Sequence, residues 1–289
     1  MATLKEYNVK LARLRSTRKL TRTMKLVSVT KLRRAQDAEK RVGQFAGKVH
    51  AFAARLAAKG AEEHPLLDER PKVGAVLLLV VTGDRGLCGG FNNNVIKAAL
   101  EWRQQQEAKG RQVRMSFCGR RGYNFLKTRV DMERFYDEAV AHPDFQQARR
   151  IGQEIQAAFL GQRFDEAYVA WNGVSGFLGC VPRVERLAPF DPASMAETSA
   201  VTNGEDWLLE PGRAELLGVV LPRLLNLKIY AALLGSAVGE HGARMRAMEQ
   251  ASTNADNLIA QISLKRNRAR QAAITTELTE IVAGAEALR

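Results

Sequence analysis

Apolar side chains toward the C-terminal end fall at steps of four and three. Val220, Leu224, Leu227, Ala231, Leu234, Val238, His241, Met245, Met248, Ser252, Ala255, Ile259 and Ile262 keep that spacing over about six heptads. A repeat of 3.5 residues predicts a long helix in a left-handed supercoil rather than a helix packed on a globular core. The start of the chain supplies the partner such a seam needs. Ala35, Ala38, Val42, Phe45, Val49, Phe52 and Leu56 repeat the steps, and Leu4, Tyr7, Leu11 and Leu14 open with them. A helix from Thr3 to Ala58 is about 80 Å long and one from Arg213 to Arg289 about 115 Å, at about 1.5 Å per residue. The C-terminal helix therefore outruns its partner by about 30 Å. Its stripe of Ile274, Leu278 and Ile281 needs a cover from outside the chain.

Between the arms the period changes. Val73 to Val81 is a continuous apolar run, as expected of a strand buried on both faces. The turn TGDRGLCGG, Thr82 to Gly90, follows it, then helical composition from Asn92 to Lys109. Val113 to Cys118 reads as a second strand, Asp144 to Leu160 as an amphipathic helix with Ile151, Ile155 and Phe159 on one side, and Tyr168 to Trp171 and Val181 to Leu187 as later strands. Strand alternating with helix predicts a doubly wound α/β sheet. From Ala188 to Gly204 the chain turns Pro-, Ser-, Thr- and Asn-rich and reads as a loop. The organisation expected is a helix over 1–60, an α/β domain over 70–190, a connection over 191–211 and a helix over 212–289.

Charge adds a partner to this picture. The 289-residue chain carries a formal +13, and the excess is uneven. Met1 to Arg41 holds thirteen Lys and Arg against three acids, and Arg244 to Arg270 six against two. Basic helices of this kind suit nucleic acid, an anionic membrane or an acidic protein surface, or simply form a solvated face. The longest apolar run has nine residues, short of the roughly 20 that a membrane span needs, and no signal peptide is expected. Cys88, Cys118 and Cys180 stand apart, and so do His50, His64, His142 and His241. Reduced thiols are expected, with no disulfide and no metal site.

A glycine-rich turn between strand and helix is where backbone amides cradle phosphate, so Thr82 to Gly90 has to be tested as a nucleotide site. Its glycines, at 83, 86, 89 and 90, form no G-x-G-x-x-G. No Gly-Lys-Ser or Gly-Lys-Thr occurs, and Asp84 repels a phosphate. A tight turn is the better reading, with Asp84 and Arg85 as a local ion pair. No nucleophile stands beside a base, so catalytic residues and a cofactor are not expected. The basic N-terminal arm holds only Tyr7 before Phe45, so the stacking platforms of a nucleic-acid binder are missing.

Three stretches carry a family resemblance. KLVSVTKLRRAQ from Lys25, GDRGLCGGFN from Gly83, and EHGARMRAMEQASTNA with RQAAITTELTEIVAGAEA from Glu240 and Arg270 resemble the gamma subunits of F-type ATP synthases in one order along the chain. Ile274, Thr275, Glu277, Glu280, Gly284 and Ala285 match the C-terminal signature of that family. The resemblance implies a long antiparallel coiled coil of the two terminal helices with an inserted Rossmann-like α/β domain. It also implies a non-catalytic central rotor shaft that couples ion flow through a membrane c-ring to ATP synthesis or hydrolysis in a ring of alpha and beta subunits. Epsilon is a further partner, nucleic acid is not, and the expected location is peripheral, on the cytoplasmic face of the inner membrane.

By matched position, Met24, Lys25, Arg244, Arg270, Gln271, Thr275 and Glu277 are expected against the alpha and beta subunits. Leu278, Ile281, Gly284 and Ala285 are expected in a tip bearing, and Trp207 and Leu209 at the foot. Gly235, Gly239 and Gly242 depart from the family, which usually has Glu, Ser and Ala there. Each costs about 1 kcal/mol of helix relative to Ala, so the shaft is softer there or a neighbour comes closer. The cysteine pair of a plant-type redox switch is absent. On the residues alone, an α/β enzyme using the glycine turn and a basic coiled coil binding nucleic acid stay open as alternatives.

Overall fold

The side chains of one strand organise the centre of the fold. In β1 (Ala75–Val81), Leu77, Leu79 and Val81 enter one apolar cluster while Val76, Leu78 and Val80 enter another. That is the period of two that gives a strand two buried faces. The computed structural model describes residues 4–58, 64–175, 179–193, 195 and 209–287. Along the chain follow α1 (Leu4–Ala58), β1, α2 (Phe91–Ala108), β2 (Gln112–Cys118), α3 (Arg120–Leu126), β3 (Met132–Tyr136), α4 (Phe145–Leu160), β4 (Glu166–Ser175), β5 (Gly179–Ala188) and α5 (Arg213–Ala287).

The sheet order is β3-β2-β1-β4-β5, parallel except for the β4–β5 pair. Val95, Ile96 and Ala99 of α2 and Leu126 of α3 cover one face. Ile151, Ile155 and Phe159 of α4, the end of α1 and Leu217 to Ala237 of α5 cover the other. The chain moves outward from β1 through β2 to β3, then crosses to β4 on the far side of β1 by α4 on the opposite face. This is the doubly wound arrangement. Two elements had no place in the sequence reading, α3 and β3. β3 is an edge strand, MERFY, whose adjacent charged residues Glu133 and Arg134 hide its pattern.

The chain divides into two compact units, Met1–Val29 with Arg244–Arg289, and Thr30–Ala243. In the second unit α5 belongs to the core. Every residue from Leu224 to Glu240 is buried or half-buried, because the face opposite the heptad seam packs under the sheet through Leu225, Ile229, Leu233 and Ala237. The 3.5-residue repeat was expected to mark a supercoil rather than a core helix, and in this unit the helix is a core helix. By composition α5 is also long and apolar enough to cross a membrane, with half of its most apolar window buried inside the fold. Core helices meet the same criterion.

The buried seam of α1 differs from the expected one at Phe45, which is 59% exposed. Ala46 takes its place. Buried and half-buried residues in this unit run Leu32, Ala35, Glu39, Val42, Ala46, Val49, Ala53 and Leu56, at steps of three and four. Ala38 is half-buried beside them. An aromatic ring had drawn the apolar pattern one position out of phase.

Candidate functional site

The first unit contains most of the residues that the family resemblance singles out. Its part of α1 continues the same heptad through Leu4, Tyr7, Leu11, Leu14, Arg18, Thr21, Lys25 and Ser28, all buried or half-buried. The apolar signal lapses after Leu14 because the seam itself becomes polar. Arg18 Nη1 donates to Asp256 Oδ1 at 2.8 Å, Arg22 Nη2 to Asp256 Oδ2 at 3.3 Å, and Lys25 Nζ to Glu249 Oε1 at 2.6 Å. The Arg18 hydrogen bond and charge, with Arg22 beside it, hold the Asp256 carboxyl below its usual range. Advancing one heptad from Arg18 to Lys25 moves the partner back one heptad from Asp256 to Glu249. The two helices of this unit are antiparallel and in register. Ser28 is buried, with Oγ donating to the Met24 carbonyl at 2.7 Å, and Ser252 is buried on α5.

Two heptads back from Arg18 is Leu4, and two heptads on from Asp256 is Arg270. From Arg270 to Ala285 every residue is exposed. This stretch of about 24 Å carries Ile274, Leu278, Ile281 and Val282, exposed by 45, 58, 63 and 57%. Three Thr hydroxyls, of Thr275, Thr276 and Thr279, fold back onto carbonyls one turn earlier. Arg270, Gln271, Thr275, Glu277, Leu278, Ile281, Gly284 and Ala285 thus stand together on open helix. A side chain added at Gly284 would meet nothing within 4 Å.

The other expected contact residues lie in different surroundings. Met24 is half-buried, Lys25 sits on the seam bound to Glu249, and Arg244 is only 8% exposed. The sequence reading had passed over Leu20, Leu26 and Val27, exposed by 60, 67 and 51% on the basic helix α1. Their signal was present as apolar residues out of heptad phase. At the expected foot, Leu209 is half-buried and packs against the larger core cluster, while Trp207 lies outside the described residues.

The glycine-rich turn uses its own polar groups. Gly83 N–H donates to Asn92 Oδ1 at 2.8 Å, and Asn92 Nδ2 donates to the Arg85 carbonyl at 3.3 Å. Thr82 Oγ1 accepts the Gly122 amide at 2.9 Å. Asp84 Oδ1 accepts the Arg120 amide at 2.9 Å, so the carboxylate turns to the start of α3 and not to Arg85 as expected. The amide of the first glycine in the turn is thereby occupied by a side chain of the helix that follows. Burial and the nearby Asp84 charge push the Cys118 thiol far up, which leaves it without thiolate chemistry. Among the described residues no cluster of His, Cys, Asp and Glu fits a metal ion.

Comparison with known proteins agrees along the entire chain. Residues 3–288 match the family described as ATP synthase. The ATP synthase gamma chains of Trichlorobacter lovleyi and Geotalea daltonii are 37% and 38% identical over 290 residues, covering all of both chains. Among solved structures, a chain of the Euglena gracilis mitochondrial ATP synthase in its OSCP/F1/c-ring form superposes with a TM-score of 0.68 at 17% identity, over 99% of this chain and 94% of that one. One from the central stalk and c-ring of the Tetrahymena thermophila mitochondrial enzyme gives 0.59 at 20%, over 81% and 99%. These two likenesses speak for the fold, and the full-length identity to the bacterial chains for descent: the chain belongs to the ATP synthase gamma chain family.

Proposed function

We propose that this chain is the central rotor shaft of an F-type ATP synthase, turning within a ring of alpha and beta subunits and coupling that rotation to ion flow through a membrane c-ring. The observation that carries the reading is the open helix from Arg270 to Ala285, whose apolar stripe has no cover within its own unit. A lone helix gains no stability from packing in water, so a sheath from other subunits is its natural complement. Relatives named for the gamma chain, and neighbours taken from a central stalk and a rotor, support the same role.

In this reading Leu278, Ile281, Gly284 and Ala285 turn in an apolar bearing, and Arg270, Gln271, Thr275 and Glu277 meet the ring below it. Leu20, Leu26 and Val27 join Met24 and the basic side chains of α1 as the face offered to an acidic partner surface. Charges about 4 Å apart interact by roughly 1 to 4 kcal/mol between water and a protein surface, so no single pair drives rotation. Torque arises from the lopsided shape and charge of the shaft, which favours a different ring conformation at each angle, and the coupling is mutual. The chain itself is non-catalytic and binds no nucleotide. Epsilon and the c-ring meet its α/β unit near Trp207 and Leu209, on the cytoplasmic face of the inner membrane, without a transmembrane span. Co-purification tests this: one copy per three alpha and three beta chains is expected, and a chain that isolates alone from membranes holding the assembled ring would overturn it.

A further inference from the structure

Two of the glycines that depart from the family, Gly235 and Gly239, lie where α5 meets one end of the sheet. A side chain at Gly235 would run into the Trp171 ring and stand 3.2 Å from Glu39 Oε1. One turn on, a side chain at Gly239 would stand 2.9 Å from the edge of Phe91 and 3.2 Å from Cys180 Sγ. The Gly239 carbonyl accepts the Cys180 thiol at 3.6 Å. Next to it Glu240, only 5% exposed, holds its carboxylate within 2.9 Å of where a Gly83 side chain would begin. Asn172, wholly buried, ties the walls together by donating Nδ2 to the Phe91 carbonyl at 2.7 Å. Five elements thus close on six residues of one helix: α1, β4, β5, the start of α2 and the turn after β1.

A second, independent observation marks the same place. Trp171 Nε1, Asn172 Oδ1 and Ser236 Oγ are buried without a hydrogen-bond partner among the described residues. Buried polar groups left in this state cost stability and concentrate at functional or strained positions. The hydrophobic effect is itself non-directional, so it is close-packed shape that fixes one orientation of a helix. A backbone gripped at two points one turn apart, with a carboxylate in a closed slot, accepts one azimuth only. Turning α5 by one residue would present the Ser236 or Glu240 side chain to walls shaped for none.

We propose that this keyed seat locks α5 against rotation about its own axis, making Gly235, Gly239 and Glu240 positioning residues for the transfer of torque from the α/β unit into the helix. α5 runs unbroken from Arg213 to Ala287, so an azimuth fixed at the seat is carried along it. The inference rests on the rotor reading and adds the point at which the rotor is gripped.

The test uses the assembled ATP synthase with Gly239→Cys in this chain. The new thiol lies within disulfide reach of Cys180, so a single protein is measured with the seat displaced and with it relocked. Under reduction, single-molecule recording is expected to show broader angular fluctuation of the α/β unit against the alpha/beta ring, with fewer ions pumped per ATP and hydrolysis retained. Oxidation is expected to narrow the fluctuation and restore pumping, a recovery that mere loss of stability would not give. Glu240→Gln is expected to broaden the fluctuation less than Glu240→Ala. Fluctuation widths unchanged in the reduced Gly239→Cys complex and in Glu240→Ala would overturn the seat while leaving the rotor reading standing. A wild-type complex that assembles but does not rotate would overturn the rotor reading itself.

Discussion

Arg18 and Asp256 meet at 2.8 Å across the paired helices, one heptad from the meeting of Lys25 and Glu249 at 2.6 Å. Arg18 and Lys25 stand at seam positions of α1 where a coiled coil normally buries Leu or Val, while their carboxylate partners flank the seam of α5. Polar groups on a seam sacrifice stability for register and orientation. Only one alignment of the antiparallel helices satisfies both pairs together.

Reversing one charge tests that alignment. Asp256→Lys is expected to speed amide exchange over Leu11 to Ser28. Combining it with Arg18→Asp and Arg22→Asp should restore protection in part. Both effects should shrink as salt rises, since exposed pairs are screened. Equal exchange in the single and combined variants would show that the pairs do not set register.

In the α/β unit one carboxylate ties the start of β1 to the end of α4. Asp165 accepts the amides of Gly74 and Ala75 at 2.7 and 2.9 Å and Arg70 at 2.7 Å, while Arg70 also bonds the Phe159 carbonyl and lies over its ring. Burial alone would raise its pKa, but the Ala75 amide, Arg70 and the Gly74 amide outweigh it and hold the carboxyl low. Asp165→Ala is expected to cost about 2 to 3 kcal/mol, read from the urea midpoint. A group held low stabilises above its unfolded value near 3.9 and loses that contribution as pH falls through its folded value. The variant's deficit should therefore fade under strong acid.

Two histidines set a milder acid limit. Burial pulls His50 below the ordinary range, with Lys228 adding to it, and burial pulls His64 down against the opposing charge of Asp68. A histidine lowered in the folded state favours folding fully above its unfolded value near 6.5 and costs stability as pH falls through its folded value. Melting temperature is expected to drop from about pH 6.5 downward, with a shallower slope in His50→Gln. An identical slope in that variant would remove His50 as a cause.

Glycine-to-alanine changes should split by position. A side chain at Gly43 or Gly47 on α1 meets nothing within 4 Å, so each change is expected to stabilise by about 0.5 to 1 kcal/mol through helix propensity. Gly235→Ala makes the same intrinsic gain but drives a methyl group into Trp171, and is expected to destabilise by about 1 to 3 kcal/mol. Urea midpoints of the three variants give the comparison, and a stabilised Gly235→Ala would show that the tryptophan moves aside freely.

On the proposed rotor reading, deleting Ala283 to Arg289 is expected to weaken assembly modestly while rotation persists, because an apolar bearing at the tip would guide more than drive. ATPase and ion-pumping assays on the purified complex decide it. Complete loss of coupling would assign the drive to the tip.

How far the sequence could be read followed from where apolar residues carry the packing. β1 and α4 were legible because their buried faces are almost wholly apolar, from Val76 to Val81 and at Ile151, Ile155 and Phe159. The middle of the helix pair was not, because Arg18, Thr21, Lys25 and Ser28 fill seam positions and look like surface. β3 was hidden by Glu133 and Arg134, which an edge strand accommodates through Glu133 with Arg114 and Arg134 with Glu154. Gly235 and Gly239 announced that something comes close, but not that Trp171 and Phe91 of the α/β domain come closest. Such proximity arises from the folding of distant segments, which spacing along one chain does not encode.

The uncovered stripe at Ile274, Leu278, Ile281 and Val282 also bears on the newly made molecule. Before it is enclosed, this segment is a ready substrate for proteases and a nucleus for aggregation. Its survival in the cell then depends on synthesis in step with whatever encloses it, so surplus copies should be short-lived and the supply of the other subunits should set the amount of this one.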